Sequence, residues 1–564
     1  MPEIFERPVD AQAVARLAAS GCDPRLARIY AARGLASTDE LATTLKSLAA
    51  PERLLQADDA ARLLADAIAR REKLLIVADY DADGATACAL GVKALRAMGA
   101  VVDYVVPNRR IHGYGLTPEI AREAAARSPA WLITVDNGIA AVEGIAEANR
   151  LGMRVLVTDH HLPGPERPAA ACIVNPNQHG CGFPSKNLAG VGVVFYVMLA
   201  LRAELRRRGA FTTTHPEPNF AELLDLVALG TVADVVKLDA NNRILVAQGL
   251  ARIRAGKASP GIAALLSVAG RDARRIVAAD LGFAVGPRLN AAGRLEDMST
   301  GIECLLARDH GRAYAIATKL DALNRERRDI ESKMQDSALA MLDRVEAGDA
   351  WCLTMHHPDW HPGVVGILAS RLKDRFHRPV FAFATEGDGT LRGSGRSIAA
   401  LHLRDALDLV DKRNPGLLVR FGGHAAAAGA TLRPNGLETF RTAMEAVARE
   451  SLTPSDLDQT IDTDGTLAAG EMNGELAYAI QAQVWGQGFP EPRFVGRFTV
   501  EAQRVVAERH LKLTLACDGR RFSAIRFGSP EALPASIQAV YRLDIESYQG
   551  AESLQLTLEH CQPL

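Results

Sequence analysis

One stretch limits the possible folds more than any other: Leu74-Leu75-Ile76-Val77-Ala78-Asp79-Tyr80-Asp81-Ala82-Asp83-Gly84. Five apolar residues running toward a glycine read as a strand buried on both faces, the habit of a parallel sheet. Three carboxylates then fall on alternate residues. Alternate side chains of an extended chain point the same way, so Asp79, Asp81 and Asp83 converge just past the strand end. A divalent cation with oxygen ligands relieves their mutual repulsion. The plainer alternative is a polar loop in which Asp83 is the N-cap of the next helix.

Strand and helix alternate after Lys73. Gly84–Met98 reads as a helix, Val101–Val106 as a strand and Pro118–Ala126 as a helix. Trp131–Val135 is a strand ending at Asp136-Asn137-Gly138, and Ala141–Leu151 a helix. Val155–Thr158 is a strand ending at Asp159-His160-His161. This order predicts an α/β fold with a doubly wound parallel sheet. Ligands of such sheets lie beyond the carboxyl ends of the strands. Three successive strands end in acidic or imidazole groups, so the fold itself is expected to gather them. Further on, Asp234 sits in the apolar run Gly230–Val236. A carboxylate there needs a partner or a metal, or else caps a turn.

With 564 residues the chain is expected to form about three or four domains. The net charge of −2 gives no global positive field, so any nucleic-acid contact must use local arginine clusters. The eight cysteines form no CxxC pair, which argues against a zinc ribbon or a disulfide scaffold. No signal-peptide core and no long apolar window stand out, so a cytoplasmic location and no membrane contact are expected.

Residues 1–50 read as short helices, Ala11–Ala19, Pro24–Ala32 and Thr38–Leu48, without chemistry. Gly286–Arg294 reads as a phosphate-contact loop or a plain surface turn. Residues 301–349 carry the pattern of one long connecting helix. A second α/β unit follows at 350–452. In it, Arg392–Ser397 combines forked donors with glycines that allow close approach. Phe421–Gly429 reads as an anion-binding helix start or as tight packing. The tail at 453–564 alternates like a small barrel of OB type. There Phe494, Phe498, Phe522, Phe527 and Tyr541 are base-stacking candidates, core packing being expected for most.

The motifs Asp79–Gly84, Asp136–Gly138, Asp159–His161 and Gly230–Asp234 resemble those of the DHH phosphoesterase superfamily. With His361–Ile367, Arg392–Ser397 and Gly422–Gly429, the chain resembles its bacterial family of single-strand-specific 5′→3′ exonucleases. The resemblance implies a DHH catalytic domain (51–300), a DHHA1 domain (350–452) and an OB domain. It implies a phosphodiesterase with two Mn²⁺ ions, Mg²⁺ being possible, that releases mononucleotides. Asp79, Asp81, Asp83, Asp136, His160, His161 and Asp234 would hold the metals, and Asp159 would fix the histidine pair.

For DNA, the resemblance suggests that Arg392, Ser394, Arg396 and His424 hold the 5′-terminal phosphate and nucleotide, with His361, Gly422 and Gly423 beside them. Arg288, Asn290 and Arg294 would hold the backbone. Arg109, Arg110, His112 and Tyr114 would grip the next nucleotides. It further suggests work in recombination and repair, next to single-strand-binding protein and a RecQ-type helicase, with a monomer as the default. The alternatives are a phosphodiesterase for short oligonucleotides or cyclic dinucleotides, a pyrophosphatase, and an inactive replication scaffold of the same fold.

Overall fold

The computed structural model describes residues 2–108, 115–342, 349–363, 365–423, 425–548 and 551–564. The chain divides into two compact units. One spans residues 1–5 and 325–462, the other 6–324 and 463–564.

The larger unit is built on a five-stranded parallel sheet of β1 (Lys73–Ala78), β2 (Val101–Val105), β3 (Trp131–Val135), β4 (Arg154–Thr158) and β5 (Cys172–Val174), in the order β2-β1-β3-β4-β5. The apolar run forms β1 because both its faces are covered. Leu74, Ile76 and Ala78 enter one core, and Leu75 and Val77 enter the other. Burial of each such side chain contributes roughly 1.5–3 kcal/mol. One core lies against α1 (Ala82–Ala97), α4 (Gly190–Arg207) and α5 (Leu224–Ala233). The other lies against α2 (Pro118–Ala125) and α3 (Val142–Arg150). β5 is a three-residue strand in a segment whose asparagines, prolines and glycines read as loop, and the sheet supplies the pairing that the local sequence does not announce.

The register fixes the site. Ala78 pairs with Val135, Val135 with Thr158, and Thr158 with Val174. Asp79, Asp136, Asp159 and Asn175 are therefore the first residues past four adjacent strands. The ladder continues through them, with Asp79 N donating to Val135 O, Asp136 N to Thr158 O and Asp159 N to Val174 O. The strand order reverses between β1 and β3, the switch point at which such sheets hold ligands.

Three sequence expectations are corrected. Thr38–Leu48 is not a helix but two short 3-10 turns, Asp39–Leu41 and Leu45–Ser47. Gly286–Arg294 is not a loop. It lies within α6 (Gly286–Leu295), with Pro287 in the first turn, where a missing N–H is harmless. The long helix begins later than expected, as α7 (His310–Leu342), and follows a separate helix Ser299–Leu306.

The N-terminal helices also have a structural task. Arg33 Nη1 lies 2.6 Å from Asp464 Oδ1, both buried, and Arg33 stacks over Trp485. This joins the chain start to the segment that leads into the C-terminal barrel of Phe494–Val506, His510–Cys517, Arg520–Arg526, Ser536–Tyr548 and Ala551–Pro563, which is closed. Phe494, Phe498, Phe522 and Tyr541 are buried in its core; Phe527 is exposed.

The smaller unit carries a five-stranded sheet. β6 (Leu353–His356) pairs parallel with β7 (Val380–Thr385). β8 (Leu391–Arg396), β9 (Leu418–Gly423) and β10 (Ala427–Leu432) complete it, in the order β9-β10-β8-β7-β6. Arg392–Arg396 is thus a strand. Phe421–Gly423 ends β9 and Ala427–Ala428 begins β10, so these residues pair as strands rather than start a helix. The alanines of β10 fit a strand wedged between two neighbours, where the ladder supplies the stability that propensity lacks.

Candidate metal centre

Asp81 is the N-cap of α1 and accepts from Gly84 N at 3.0 Å, so the capping role expected of Asp83 as the alternative falls to Asp81. Asp83 sits in the first turn of α1, buried, and accepts from Gly190 N (2.6 Å) and Val191 N (2.9 Å) at the start of α4. A carboxylate at a helix N-terminus is favourably placed against the dipole. Asn290, expected to touch DNA backbone, instead accepts from Ala82 N at 2.8 Å and steadies the acidic loop.

The other donors come to the same place. Asp136 stands at φ 63°, a left-handed turn that Asp tolerates, and Asn137 holds that turn by donating to Val77 O and Val135 O. His160 Nε2 lies 3.1 Å from Asp136 Oδ1 and 3.4 Å from Asp234 Oδ2. Asp234 is the C-cap of α5, so it reaches the site from a helix end. The backbone must approach closely: a Cβ on Gly190 would lie 2.5 Å from Asp136 Cβ, and one on Gly84 would lie 2.5 Å from Asp79 O.

Asp159 does not join this donor set directly. Its Oδ2 accepts from Ile139 N, and its Oδ1 accepts from His160 N, His161 N and, at 2.7 Å, His161 Nδ1. Burial alone would raise the Asp159 carboxyl, yet these bonds to the histidine pair hold it below its ordinary range. Burial would lower His161, and the Asp159 bond lifts it to about 9. Asn175 Nδ2 donates to His161 O and Asn177 Nδ2 to His160 O, bracing the pair from β5. Sequence reading passed over Asn137, Asn175 and Asn177. The one available signal was a polar residue directly after a strand, and at Asn175 the strand itself was not recognised.

The site fits a divalent cation on its own chemistry. Ligand atoms of three groups lie within 4.8 Å of one another: Asp136, His160 and His161; Asp83, His160 and Asp234; Asp79, Asp81 and Asp136. All seven expected residues take part. Burial first, and then the neighbouring carboxylates, push Asp79, Asp136 and Asp234 well above the ordinary range and Asp83 up to about 7. Asp234 Oδ2 is buried and accepts no hydrogen bond among the described residues. A concentration of buried negative charge of this kind is stable when a cation offsets it.

The remaining expected contact residues separate. Arg288 is buried, donates to Asp321 and to Ala284 O, and is committed inside the protein, which corrects its expected DNA contact. Arg294 is half-buried near the end of α6. Arg109, Arg110, His112, Tyr114 and His424 lie outside the described residues.

In the smaller unit, Arg392, Ser394 and Arg396 share the outer face of β8. Gly393 and Gly395 face inward because Phe383 and Phe381 leave no room for a side chain. Arg396 Nη1 donates to Ser394 Oγ at 3.0 Å, and Arg392 pairs with Glu386. The helix α8 (Val365–Phe376) begins against them: a Cβ on Gly366 would lie 2.9 Å from Ser394 Oγ. His361 Nδ1 accepts from Gly363 N just before this helix. Ser394 is level with Gly429, and Gly429 with Gly422, so a path without side chains leads from Ser394 to Gly422. Gly423 closes β9. Backbone N–H groups at a helix N-terminus, an arginine and a hydroxyl are donors of the kind that anions accept.

Comparison with known proteins agrees with this architecture. The DHH family, N-terminal domain, matches residues 73–231, the DHHA1 domain residues 348–450, and the RecJ OB domain residues 463–560. The chain is 51% identical over 552 residues to the single-stranded-DNA-specific exonuclease RecJ of Dickeya dadantii (strain 3937), covering 96% of each. It is 50% identical over 554 residues to that of Escherichia coli (strain K12), again covering 96% of each. The crystal structure of RecJ in complex with Mn²⁺ from Thermus thermophilus superposes with a TM-score of 0.82 at 29% identity, over 100% of this chain and 79% of that one. The Mg²⁺ complex of the same protein gives 0.76 at 28% identity, over 100% and 78%. The chain belongs to the RecJ family of single-stranded-DNA-specific exonucleases.

Proposed function

We propose that the chain is a divalent-metal-dependent exonuclease that removes mononucleotides from the 5′ end of single-stranded DNA, in DNA recombination and repair. The observation that carries this reading is the set of seven donors, Asp79, Asp81, Asp83, Asp136, His160, His161 and Asp234, gathered past the ends of adjacent parallel strands. Asp136 and His160 each belong to two of the three donor groups, which favours two ions over one. Mixed carboxylate and imidazole ligation suits Mn²⁺, with Mg²⁺ as the alternative. Bound there, the ions supply charge to neutralise the scissile phosphate and acidify water at neutral pH.

The chain's own residues do the rest. Asp159 holds His161 by the proton on Nδ1, so Nε2 is the nitrogen left to a metal, which would displace its proton on binding. Asn175 and Asn177 fix the two histidines by their backbone, and Asp83, tied to the start of α4, fixes the carboxylate side. Ser394, Arg396 and the N-terminus of α8 are assigned to the 5′-terminal phosphate, since the guanidinium, the helix N–H groups and the hydroxyl proton can all donate to it.

The test is hydrolysis of 5′-labelled single strands, duplexes and dinucleotides with Mn²⁺ added, using the wild type and the Asp136→Ala and His161→Ala variants. Mononucleotide release from single strands that both substitutions abolish, with folding intact, is expected. Retained cleavage in either variant overturns the reading. Preference for dinucleotides would mark a short-oligonucleotide phosphodiesterase, and an inert wild type a scaffold.

A further inference from the structure

Two locally unfavourable features converge next to the candidate metal centre. Directly after Asp234, Val235 has φ 60°, a conformation that a β-branched residue adopts only under strain, and it is 63% exposed. Across from it, a single π-turn, Leu281–Val285, interrupts the helical path into α6 and holds Phe283 80% exposed. Such π-turns gather at functional sites. The π-turn packs on the end of α5, where a Cβ on Gly282 would lie 3.2 Å from Val232 Cγ1. Val235 and Phe283 line one groove of about 530 Å³, with Leu238 and Trp485 among its other walls. That volume is in the range of sites for small organic groups.

Val232, Val235 and Val236, on either side of Asp234 in the chain, line the groove, so it opens beside the centre. Its arginines do not advertise a phosphate track. Arg542 pairs with Glu491 and Glu559, and Arg493 pairs with Glu559. Beside the amides of Gln481, Gln483 and Gln487 and the carboxylate of Asp544, the groove exposes a flat ring at Phe283 and a branched aliphatic group at Val235, which suit the faces of nucleobases of any sequence. An enzyme that removes one nucleotide at a time leaves only that nucleotide on the 5′ side of the scissile bond, so a groove beside the centre that takes further bases serves the 3′ side.

We propose that Phe283 and Val235 form a stacking platform for bases 3′ of the scissile phosphate, an inference that rests on the exonuclease reading above. The platform supplies affinity that scales with strand length and does not depend on sequence.

The experiment uses the full chain and two variants, Phe283→Ala and Phe283→Tyr, with 5′-phosphorylated strands carrying 2-aminopurine at successive positions. In chelator, where turnover stops, the wild type is expected to change the fluorescence of 2-aminopurine at one or two positions near the 5′ end. Phe283→Ala should lose that change and Phe283→Tyr should keep it. With Mn²⁺, the ratio of kcat/KM for a long strand to that for a dinucleotide should fall about tenfold in Phe283→Ala and recover in Phe283→Tyr. If the wild type cleaves single strands and Phe283→Ala matches it in both measurements, the platform is wrong and the patch faces a protein. If the wild type cleaves no single strand, the exonuclease reading fails and the platform falls with it.

Discussion

His161 Nδ1 lies 2.7 Å from Asp159 Oδ1, and the same carboxylate oxygen also takes the backbone N–H groups of His160 and His161. One side chain thus sets the direction, the tautomer and the backbone of the histidine pair. Asp159→Asn keeps the size of the residue and can still orient the ring, but it removes the charge that favours a proton on Nδ1. The variant should fold and should lose about 10- to 100-fold in Mn²⁺ affinity. Calorimetric titration of Mn²⁺ measures this directly. Activity that returns at high Mn²⁺ separates a positioning role from a ligand role.

Gly190 stands where the start of α4 meets both Asp83 and Asp136. Its N–H donates to Asp83, and any Cβ would press on Asp136 at 2.5 Å. Gly190→Ala should therefore destabilise the fold by about 2 kcal/mol through overpacking and should displace one ligand pair. Chemical unfolding gives the first effect. The second shows as a turnover rate lowered about 100-fold or more, without a matching rise in KM.

Arg288 separates a structural arginine from a DNA-binding one. It is 8% exposed and sits 2.8 Å from Asp321. Arg288→Ala takes a bound cation from the buried Asp321 carboxylate, so a loss of about 3 kcal/mol is expected. Arg288→Ala with unchanged stability and a raised KM for single strands would reverse this assignment.

Arg396 tests the anion site of the smaller unit. With Ser394 Oγ 3.0 Å from its guanidinium and the N-terminus of α8 beside it, it should recognise a terminal phosphate. Arg396→Ala should erase the preference for 5′-phosphorylated over 5′-hydroxyl strands, about tenfold or more for a charge-assisted contact. Competition between the two substrates in one reaction reads this ratio, and an unchanged ratio excludes the assignment.

The parallel sheet and its acidic strand ends were legible in the sequence because they rest on short-range rules, whereas the full set of seven donors, Asp234 included, was given by the family resemblance. An apolar run followed by alternating carboxylates needs no knowledge of its neighbours. Asn290 and Arg288 show the limit. Both stand in a glycine- and arginine-containing segment that reads as a loop, and only tertiary packing makes it α6, turning one residue onto Ala82 N and the other onto Asp321. The alanines after Gly423 failed for the same reason, since strand pairing on both sides overrides their helical preference. Asn175 was hidden because its strand is three residues long and acquires its identity from β4.

The carboxylates themselves make the last prediction. Asp136 is buried, and the charges of Asp83, Asp81, Asp234 and Asp79 add to the burial in raising its carboxyl. Without metal, its ionised form opposes folding. Asp136→Asn keeps the shape and removes one charge, so the metal-free variant should be more stable than the metal-free wild type, by about 1 kcal/mol or more. The sign should reverse when Mn²⁺ is added. The wild type gains stability by mass action, about 2.7 kcal/mol at a concentration about 100 times the Kd, while the variant has lost a donor shared by two of the three groups and gains less. Thermal unfolding of both proteins in chelator and in Mn²⁺ gives four Tm values. A variant less stable than wild type in chelator would show that Asp136 is held by structural contacts rather than by the metal it serves.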